Sequence, residues 1–500
     1  MVLWKRSGLF LYYEQLLTIK YHVASLLSYQ VRVCDYRTIM KRIVKSILLV
    51  GLVLQTLASW GQEQPNIIVI LTDDMGFSDI GAFGGKFVPT PQLDRFAEEG
   101  TRFTQYYSAS PICSPSRTSI LTGMFPAQWN FTTFLNNRRG NELAEQANYL
   151  NVHAPSIAKV LKNAGYATGH FGKWHMGGGR DIKNAPKFDK YGFDEHASTY
   201  ESPEPDPALT ATDWIWSDVD SIKRWNRTAY FVDKTLDFLR RHRGTPCFVN
   251  LWPDDMHDPW VPEENRRQAG QFPMNPKEEA AFKLVLAEFD KQMGRLFDGL
   301  RELGIAENTL VIFTSDNGAL PSFKGNRNGG LRGTKLSLYE GGIRMPFIVR
   351  WPGHVPAGET DSVSVLNSTD LFPTLANIAS ATLPTNYKGD GEDRTAVWMG
   401  APAPRTKDMY WEYGRNDYAF NYPRGRDRSP NLAIRSGKWK LIMDYHKNNP
   451  ELYDMEGDRY ETTNLADAHP DIVKELRAKL ITWRMYLPEL TTGRANPPME

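Results

Sequence analysis

Asn66-Ile-Ile-Val-Ile-Leu71, followed at once by Thr72-Asp73-Asp74-Met75-Gly76, is a short apolar run that ends in two carboxylates. A continuous run of this length, rich in β-branched residues and bounded by turn residues, predicts a strand buried on both faces at the centre of a parallel sheet. Further segments repeat the theme. A helix is expected around Gln92–Glu99, closed by Gly100, and another just after Cys113, with Pro115 near its first turn. Helix Ser156–Asn163 leads into strand Tyr166–Phe171, and helix Tyr230–Arg241 into strand Cys247–Trp252. An amphipathic helix over roughly Lys277–Leu303 precedes strand Thr309–Thr314; strand Pro346–Arg350 and a helix near Leu371–Ala379 follow. Strands alternating with helices predict an α/β fold, a large mostly parallel sheet with helices on both faces. The polar residues that stand out lie just past strand C-termini, where open α/β sheets place their sites.

From about Arg405 the pattern changes. Leu432–Met443 and Glu451–Asp454 read as antiparallel strands around a Gly-containing turn, and a last helix is expected near Asp471–Tyr486. Residues 62–404 are therefore taken as a main domain and 405–500 as a smaller α+β subdomain. Residues Thr199–Asp220, rich in Pro, Asp and Trp and without periodicity, read as a long loop of the kind that carries specificity.

The 500 residues suffice for one large domain and a small one. A formal net charge of +1 gives no bulk attraction to nucleic acid or membranes. Three cysteines, Cys34, Cys113 and Cys247, do not make a disulfide framework, and Cys247 has the setting of a core thiol. The 12% aromatic content suits either a sugar-facing surface or a large core. Near the N-terminus, basic Met40-Lys-Arg-Ile-Val-Lys45 precedes an apolar stretch, Ser46 to Leu57, too short to span a bilayer, and small residues around Ser59-Trp60-Gly61. This is the pattern of a signal peptide over 40–61. Residues 1–39 are then expected to be a spurious extension, and the protein an exported one without a stable membrane anchor.

Four groups of residues carry chemistry. Asp73-Asp74 and Asp316-Asn317 each follow an apolar strand. Adjacent carboxylates repel unless a positive charge sits between them, and a hard divalent cation held by oxygens is the natural solution. The lack of a Cys/His cluster argues against structural zinc. Gly172-Lys-Trp-His-Met-Gly177 supplies Lys173 and His175, Pro253-Asp-Asp-Met-His-Asp-Pro259 supplies His257, and Leu331-Arg-Gly-Thr-Lys-Leu336 supplies Lys335. The fourth is Cys113-Ser-Pro-Ser-Arg117, at a predicted helix start whose dipole adds positive charge.

Cys113-Ser-Pro-Ser-Arg117, within Ser110–Gly123, resembles the core signature of the type I sulfatases, members of the alkaline phosphatase superfamily. The resemblance extends from Pro65 to about Tyr486 and includes Glu451-Leu-Tyr-Asp454 and Glu461-Thr-Thr-Asn-Leu-Ala466. It implies an alkaline-phosphatase-like fold and a sulfuric ester hydrolase. It implies that Cys113 is oxidised to formylglycine (3-oxoalanine) by a formylglycine-generating or sulfatase-maturating enzyme. It implies one calcium held by Asp73, Asp74, Asp316, Asn317 and the side chain at 113. Arg117, Lys173, His175, His257 and Lys335 complete the implied catalytic set. Arg117, one helical turn beyond Cys113, is expected to reach back to it. His175 would act as base, and His257 or Lys335 as the acid for the leaving oxygen. The family's proline-histidine pairing is absent around His257, where the chain has Met-His-Asp-Pro. The substrate expected is a sulfated saccharide, a glycosaminoglycan fragment or an algal galactan such as carrageenan. Trp129, Asn130, Trp214, Trp216, Arg327, Trp411 and Arg415 are candidates for contacts to the sugar. Two other functions fit the same residues: a formylglycine-dependent phosphonate or phosphate ester hydrolase, and a catalytically silent glycan-binding protein with an unmodified Cys113.

Overall fold

Nine strands form the main sheet. In this computed structural model, which describes residues 64–212, 215–263, 279–419, 425–445 and 449–488, they are β1 Asn66–Thr72, β2 Thr101–Tyr107, β3 Ala167–Gly172, β4 Glu195–Ser198, β5 Cys247–Trp252, β6 Thr309–Ser315, β7 Arg344–Arg350, β8 Glu359–Asp361 and β9 Leu366–Asn367. The central ones, β1, β5, β6 and β7, are buried almost throughout. The expected extension and signal segment, Cys34 and Trp214 lie outside the described residues.

The strand order is β4-β3-β5-β1-β6-β7-β2-β8, with β9 beside β2. β1 sits at the centre as expected, parallel to β5 and to β6. Its alternate residues enter two cores: Ile67, Val69 and Leu71 one, Ile68 and Ile70 the other. Each such side chain, removed from water, contributes roughly 1.5–3 kcal/mol. The sheet is not wholly parallel, because β7 runs antiparallel to both β6 and β2. β2, with its alternating Thr101-Arg-Phe-Thr-Gln-Tyr-Tyr107, lies outside the expected set of strands.

The main helices are α1 Pro91–Glu98, α2 Cys113–Thr122, α3 Ile157–Asn163, α4 Arg227–Arg241, α5 Glu279–Glu302, α6 Leu371–Ile378 and α7 Pro470–Met485. Pro91 opens α1, and the Ser156 side chain caps α3 by accepting from the Lys159 N–H. Residues of α2, α3 and α6 share the first core, and those of α1, α4 and α5 the second. Helices thus cover both faces of the sheet.

A second, antiparallel sheet has the order β10-β11-β12-β13, with β10 Met409–Glu412, β11 Leu432–Ser436, β12 Trp439–Met443 and β13 Glu451–Asp454. Period-two alternation gives it two apolar faces. Leu432, Ile434, Leu441 and Leu452 pack on Leu476 and Leu480 of α7. Ala433, Ile442 and Tyr453 join Trp411 and Tyr413 in a core shared with Tyr107, Ile112, Cys113, Tyr339 and Ile343 of the main body. The small sheet therefore packs directly behind the start of α2.

Candidate active site

Parallel pairing of β1 with β6 sets Thr72 beside Ser315 and so brings Asp73-Asp74 against Asp316-Asn317. The Asp316 N–H donates to the Thr72 carbonyl at 3.0 Å. The Asp74 N–H donates to Asp316 Oδ1 at 3.1 Å, and Asn317 Nδ2 to Asp74 Oδ1 at 2.8 Å. Asp74 adopts a left-handed conformation, φ 62°, a backbone that Asp tolerates better than most residues. Cys113 is the first residue of α2, all of whose residues are buried. Its Sγ lies 3.4 Å from Asp73 Oδ1 and 3.9 Å from Asp74 Oδ1. Cys113 and Cys247 are both free thiols.

Arg117 reaches back toward Cys113: its Nη2 and the Cys113 Sγ both lie against Asp73 Oδ1, at 3.2 and 3.4 Å. Its guanidinium is turned onto the carboxylates, with Nε and Nη2 donating to Asp316 Oδ2 at 3.0 and 2.7 Å, Nη2 at 3.2 Å from Asp73, and Nη1 donating to the Lys173 carbonyl at 2.8 Å. A carboxylate fork is a strong partner for a fully buried guanidinium. Lys173 Nζ donates to Asp73 Oδ2 at 2.8 Å, and Lys335 Nζ lies 2.6 Å from the Asp74 carboxylate. His257, half-buried, has Nε2 at 3.7 Å from Asp74 Oδ2, and its Nδ1 lies against the Asp258 carbonyl. His175 Nε2 is 3.2 Å from the Leu135 carbonyl and 3.2 Å from Glu201 Oε2.

Burial works to raise the Asp73 pKa, but Lys173, His257, Arg117 and Lys335 outweigh it and hold the carboxyl well below its usual range. Burial pushes Asp316 up to about 6, with Asp73 and Asp74 adding to the effect and Arg117 opposing it. Burial also raises the Cys113 thiol well above its ordinary value, so it is protonated at neutral pH. As an unmodified thiol it is therefore a poor nucleophile.

These groups lie on or behind a cavity of about 250 Å³ lined by Asp73, Cys113, Lys173, His175, His257 and Lys335. The cavity also holds Arg180, Tyr200, Glu201, Arg224 and Asp254, none of them among the sequence candidates. Asp254 stands in the quoted run before His257, and Arg224 ties that run down through the Asp254 carboxylate and, at 3.0 Å, the His257 carbonyl. Arg180 and Glu201 sit in aperiodic loops, where no spacing marks them.

None of the described sugar-contact candidates lines this cavity. Trp411 is buried and donates from Nε1 to the Ser108 carbonyl at 2.8 Å, tying the small sheet to the end of β2. Arg327 is buried and donates to Asp79 at 2.7 Å and to the Asp74 carbonyl at 2.8 Å, so it braces the Asp73-Asp74 loop. Trp216 is buried, and Trp129 packs against the first core. Arg415 pairs with Glu412 and donates to Asn130 Oδ1 at 3.3 Å. Tryptophan and arginine are large enough to serve as core and clamp, and here those roles win.

Asp73, Asp74, Asp316 and Asn317 suit a hard divalent cation. Asn317 Oδ1 is a buried acceptor without a hydrogen-bond partner among the described residues. Asp73, Cys113 and Asp316 place candidate ligand atoms within 4.8 Å of one another. Lys173 and Lys335 each neutralise one of these carboxylates.

The model of the Sulfatase family matches residues 65–381, and that described as N-sulphoglucosamine sulphohydrolase, C-terminal, matches residues 334–485. The chain is 32% identical over 464 residues to N-acetylgalactosamine-6-sulfatase from Homo sapiens, covering 84% of this chain and 85% of that protein. It is 28% identical over 499 residues to N-acetylgalactosamine-6-O-sulfatase from Bacteroides thetaiotaomicron, covering 83% and 92%. Among solved structures, one from Bacteroides thetaiotaomicron, described under the metabolism of multiple glycosaminoglycans, superposes with TM-score 0.69 at 26% identity, covering 85% of this chain and 100% of that one. Ps i-CgsB in complex with k-i-k-neocarrahexaose superposes with TM-score 0.67 at 25% identity, covering 85% and 94%. With this fold, these strand-end residues and matches over most of its length, the chain belongs to the sulfatase family of the alkaline phosphatase superfamily and is a sulfuric ester hydrolase.

Proposed function

We propose that this protein is an exported sulfatase that removes sulfate from a sulfated carbohydrate, with the side chain at 113 matured to formylglycine and calcium at the Asp73, Asp74, Asp316 and Asn317 oxygens. The observation that carries the proposal is the placement of Cys113 at the start of α2. It touches both strand-end carboxylates and lines a cavity with Lys173, His175, His257 and Lys335. The relatives named for N-acetylgalactosamine 6-sulfate and the neighbour in complex with a neocarrahexaose support a glycosaminoglycan or algal galactan as substrate.

Matured to formylglycine, residue 113 supplies a hydrated aldehyde, one hydroxyl to attack sulfur and one to let the carbonyl re-form as sulfate leaves. Calcium supplies charge stabilisation to an oxygen nucleophile. The chain's own residues do the rest. Arg117 holds Asp316 and Asp73 in position. Lys173 and Lys335 hold the sulfate oxygens by charge-assisted hydrogen bonds in a site nearly closed to water. His257, half-exposed on the cavity wall, gives a proton to the departing sugar oxygen. Burial pushes His175 down to about 3, with Glu201 opposing, so the ring is neutral at working pH with one nitrogen unprotonated.

The test is release of free sulfate from a panel of defined sulfated oligosaccharides by protein co-expressed with a maturating enzyme. The matured chain is expected to act on at least one of them, with a lowered mass for the peptide containing residue 113. Cys113→Ala is expected to fall below about a thousandth of the parent rate while the fold survives. Parent-level turnover in that variant contradicts the proposal.

A further inference from the structure

The segment that carries Lys173 and His175 continues as Met176-Gly-Gly-Gly-Arg180. Gly177, Gly178 and Gly179 have φ of 123°, 92° and 72°, flanked by left-handed His175 at 53° and Arg180 at 51°. A Cβ at 178 would stand 2.2 Å from the Ser202 backbone carbon, and one at 179 would stand 2.6 Å from the Tyr200 carbonyl oxygen. Only glycine permits both the conformation and the approach. The result is that this loop docks on residues 200–203, and the His175 N–H donates to the Glu201 carbonyl at 3.0 Å.

Glu201 is thereby placed against the catalytic cavity with its side chain almost fully buried. Oε2 is 3.2 Å from His175 Nε2, and Oε1 accepts from Arg180 Nη2 at 3.0 Å. The same Nε2 lies 3.2 Å from the Leu135 carbonyl, which can only accept. His175 Nδ1 is buried and has no hydrogen-bond partner among the described residues. A carbonyl and a carboxylate at one nitrogen require that nitrogen to carry the proton, and leave the other as the acceptor.

We propose that Glu201 is a positioning residue for His175: held by Arg180, it fixes the Nε2–H tautomer and presents Nδ1 as the proton acceptor. This rests on the assignment of His175 as base in the proposed function. The arrangement follows the logic of a carboxylate that orients a catalytic imidazole without taking its proton. Burial works to raise the Glu201 pKa, but His175, Lys173 and Arg180 outweigh it and keep the carboxylate ionised. The charges that bear on the ring are Glu201, Lys173 and Arg117, and burial dominates all three.

The test is a mutant cycle in matured full-length protein, using a sulfate ester that the parent hydrolyses. Glu201→Gln, whose amide can turn a donor toward Nε2 and favour the wrong tautomer, is expected to lower kcat roughly ten- to a hundredfold with KM within about twofold. Glu201→Asp, which keeps the charge but withdraws it from the ring, is expected to give a smaller loss of kcat in the same pattern. In a His175→Ala background neither change is expected to cost anything further, because the carboxylate acts only through the ring. Parent kcat in both Glu201 variants, or losses that multiply fully with that of His175→Ala, overturns the proposal. Should Glu201→Gln fail to fold, Glu201→Asp completes the same cycle. A His175→Ala protein with parent kcat instead removes the assignment of His175 as base, a separate failure from that of Glu201.

Discussion

At Asn317 a single atom, Oδ1, is buried without a hydrogen-bond partner among the described residues, while Nδ2 of the same amide donates to Asp74. A buried unpaired acceptor costs about 1–3 kcal/mol, and a cation among the neighbouring carboxylates would remove that cost. Burial, with Asp73 and Asp74 adding to it, pushes Asp316 up to about 6 despite Arg117. Calcium added to chelator-treated protein is therefore expected to raise the thermal midpoint with concentration, by about 2.7 kcal/mol of stability at a hundredfold excess over Kd. Asp316→Asn is expected to abolish that response. A parent protein whose melting ignores both chelator and calcium would falsify the ligand set. These residues were legible in the sequence because strand, turn and carboxylate pair are contiguous. Glu201 was not, since only the fold of the 172–180 loop brings it to His175.

Lys335 is followed closely in the chain by a buried charged cluster. The one-turn helix Glu340–Ile343 begins five residues on, and its Glu340 side chain accepts from Tyr107, Arg344 and, at 2.9 Å, from Lys440 of β12. Lys440 Nζ also donates to Glu461 Oε1 at 2.8 Å, and Glu461 in turn accepts from the Glu340 N–H at 2.7 Å. All three charged side chains are fully buried. Burial, with Glu340 adding to it, pushes Glu461 up to about 7 from 4.5 despite Lys440. For Glu340, Lys440 and the arginines outweigh burial and hold it down at about 2. A carboxyl whose folded pKa lies above its unfolded value stabilises fully below the unfolded value and loses that contribution as pH rises through the folded one. Glu461 therefore favours folding below about pH 4.5 and loses its contribution toward pH 7. Glu340 has the opposite sign: its contribution is present above about pH 4.5 and is lost as pH falls toward 2. Urea midpoints of the parent are expected to fall between about pH 5 and pH 7.5 by more than those of Glu461→Gln. Parallel curves for the two proteins would refute the upward shift of Glu461.

The described chain from Gln64 onward is one compact unit, and the third core shows why the small sheet cannot be spared. Trp411, Tyr413, Ala433 and Ile442 cover Ile112, Cys113, Tyr339 and Ile343. Ending the chain at Pro404 uncovers that face and leaves Glu340 without Lys440. Breaking a buried ion pair costs roughly 3–5 kcal/mol, before the lost apolar burial is added. Residues 64–404 alone are expected to show no cooperative thermal transition by circular dichroism, whereas 64–488 should. A cooperative melt of the shorter chain near the parent midpoint would show that the small sheet is dispensable. Trp411 illustrates the limit of composition as a guide. An aromatic residue suits a sugar or a core equally well, and only its neighbours in space separate the two.

By itself the sequence determined the buried central strand, the α/β class, the strand-end carboxylate pairs and the cysteine motif. Each of these is written in contiguous residues, where period and turn chemistry act locally. The antiparallel run of β7, the hold of Arg117 on Asp316, the buried positions of Arg327 and Trp411, and the contact of Glu201 with His175 were decided by tertiary structure. Those outcomes depend on which groups compete for one buried partner, and that competition arises only once distant segments have been packed together.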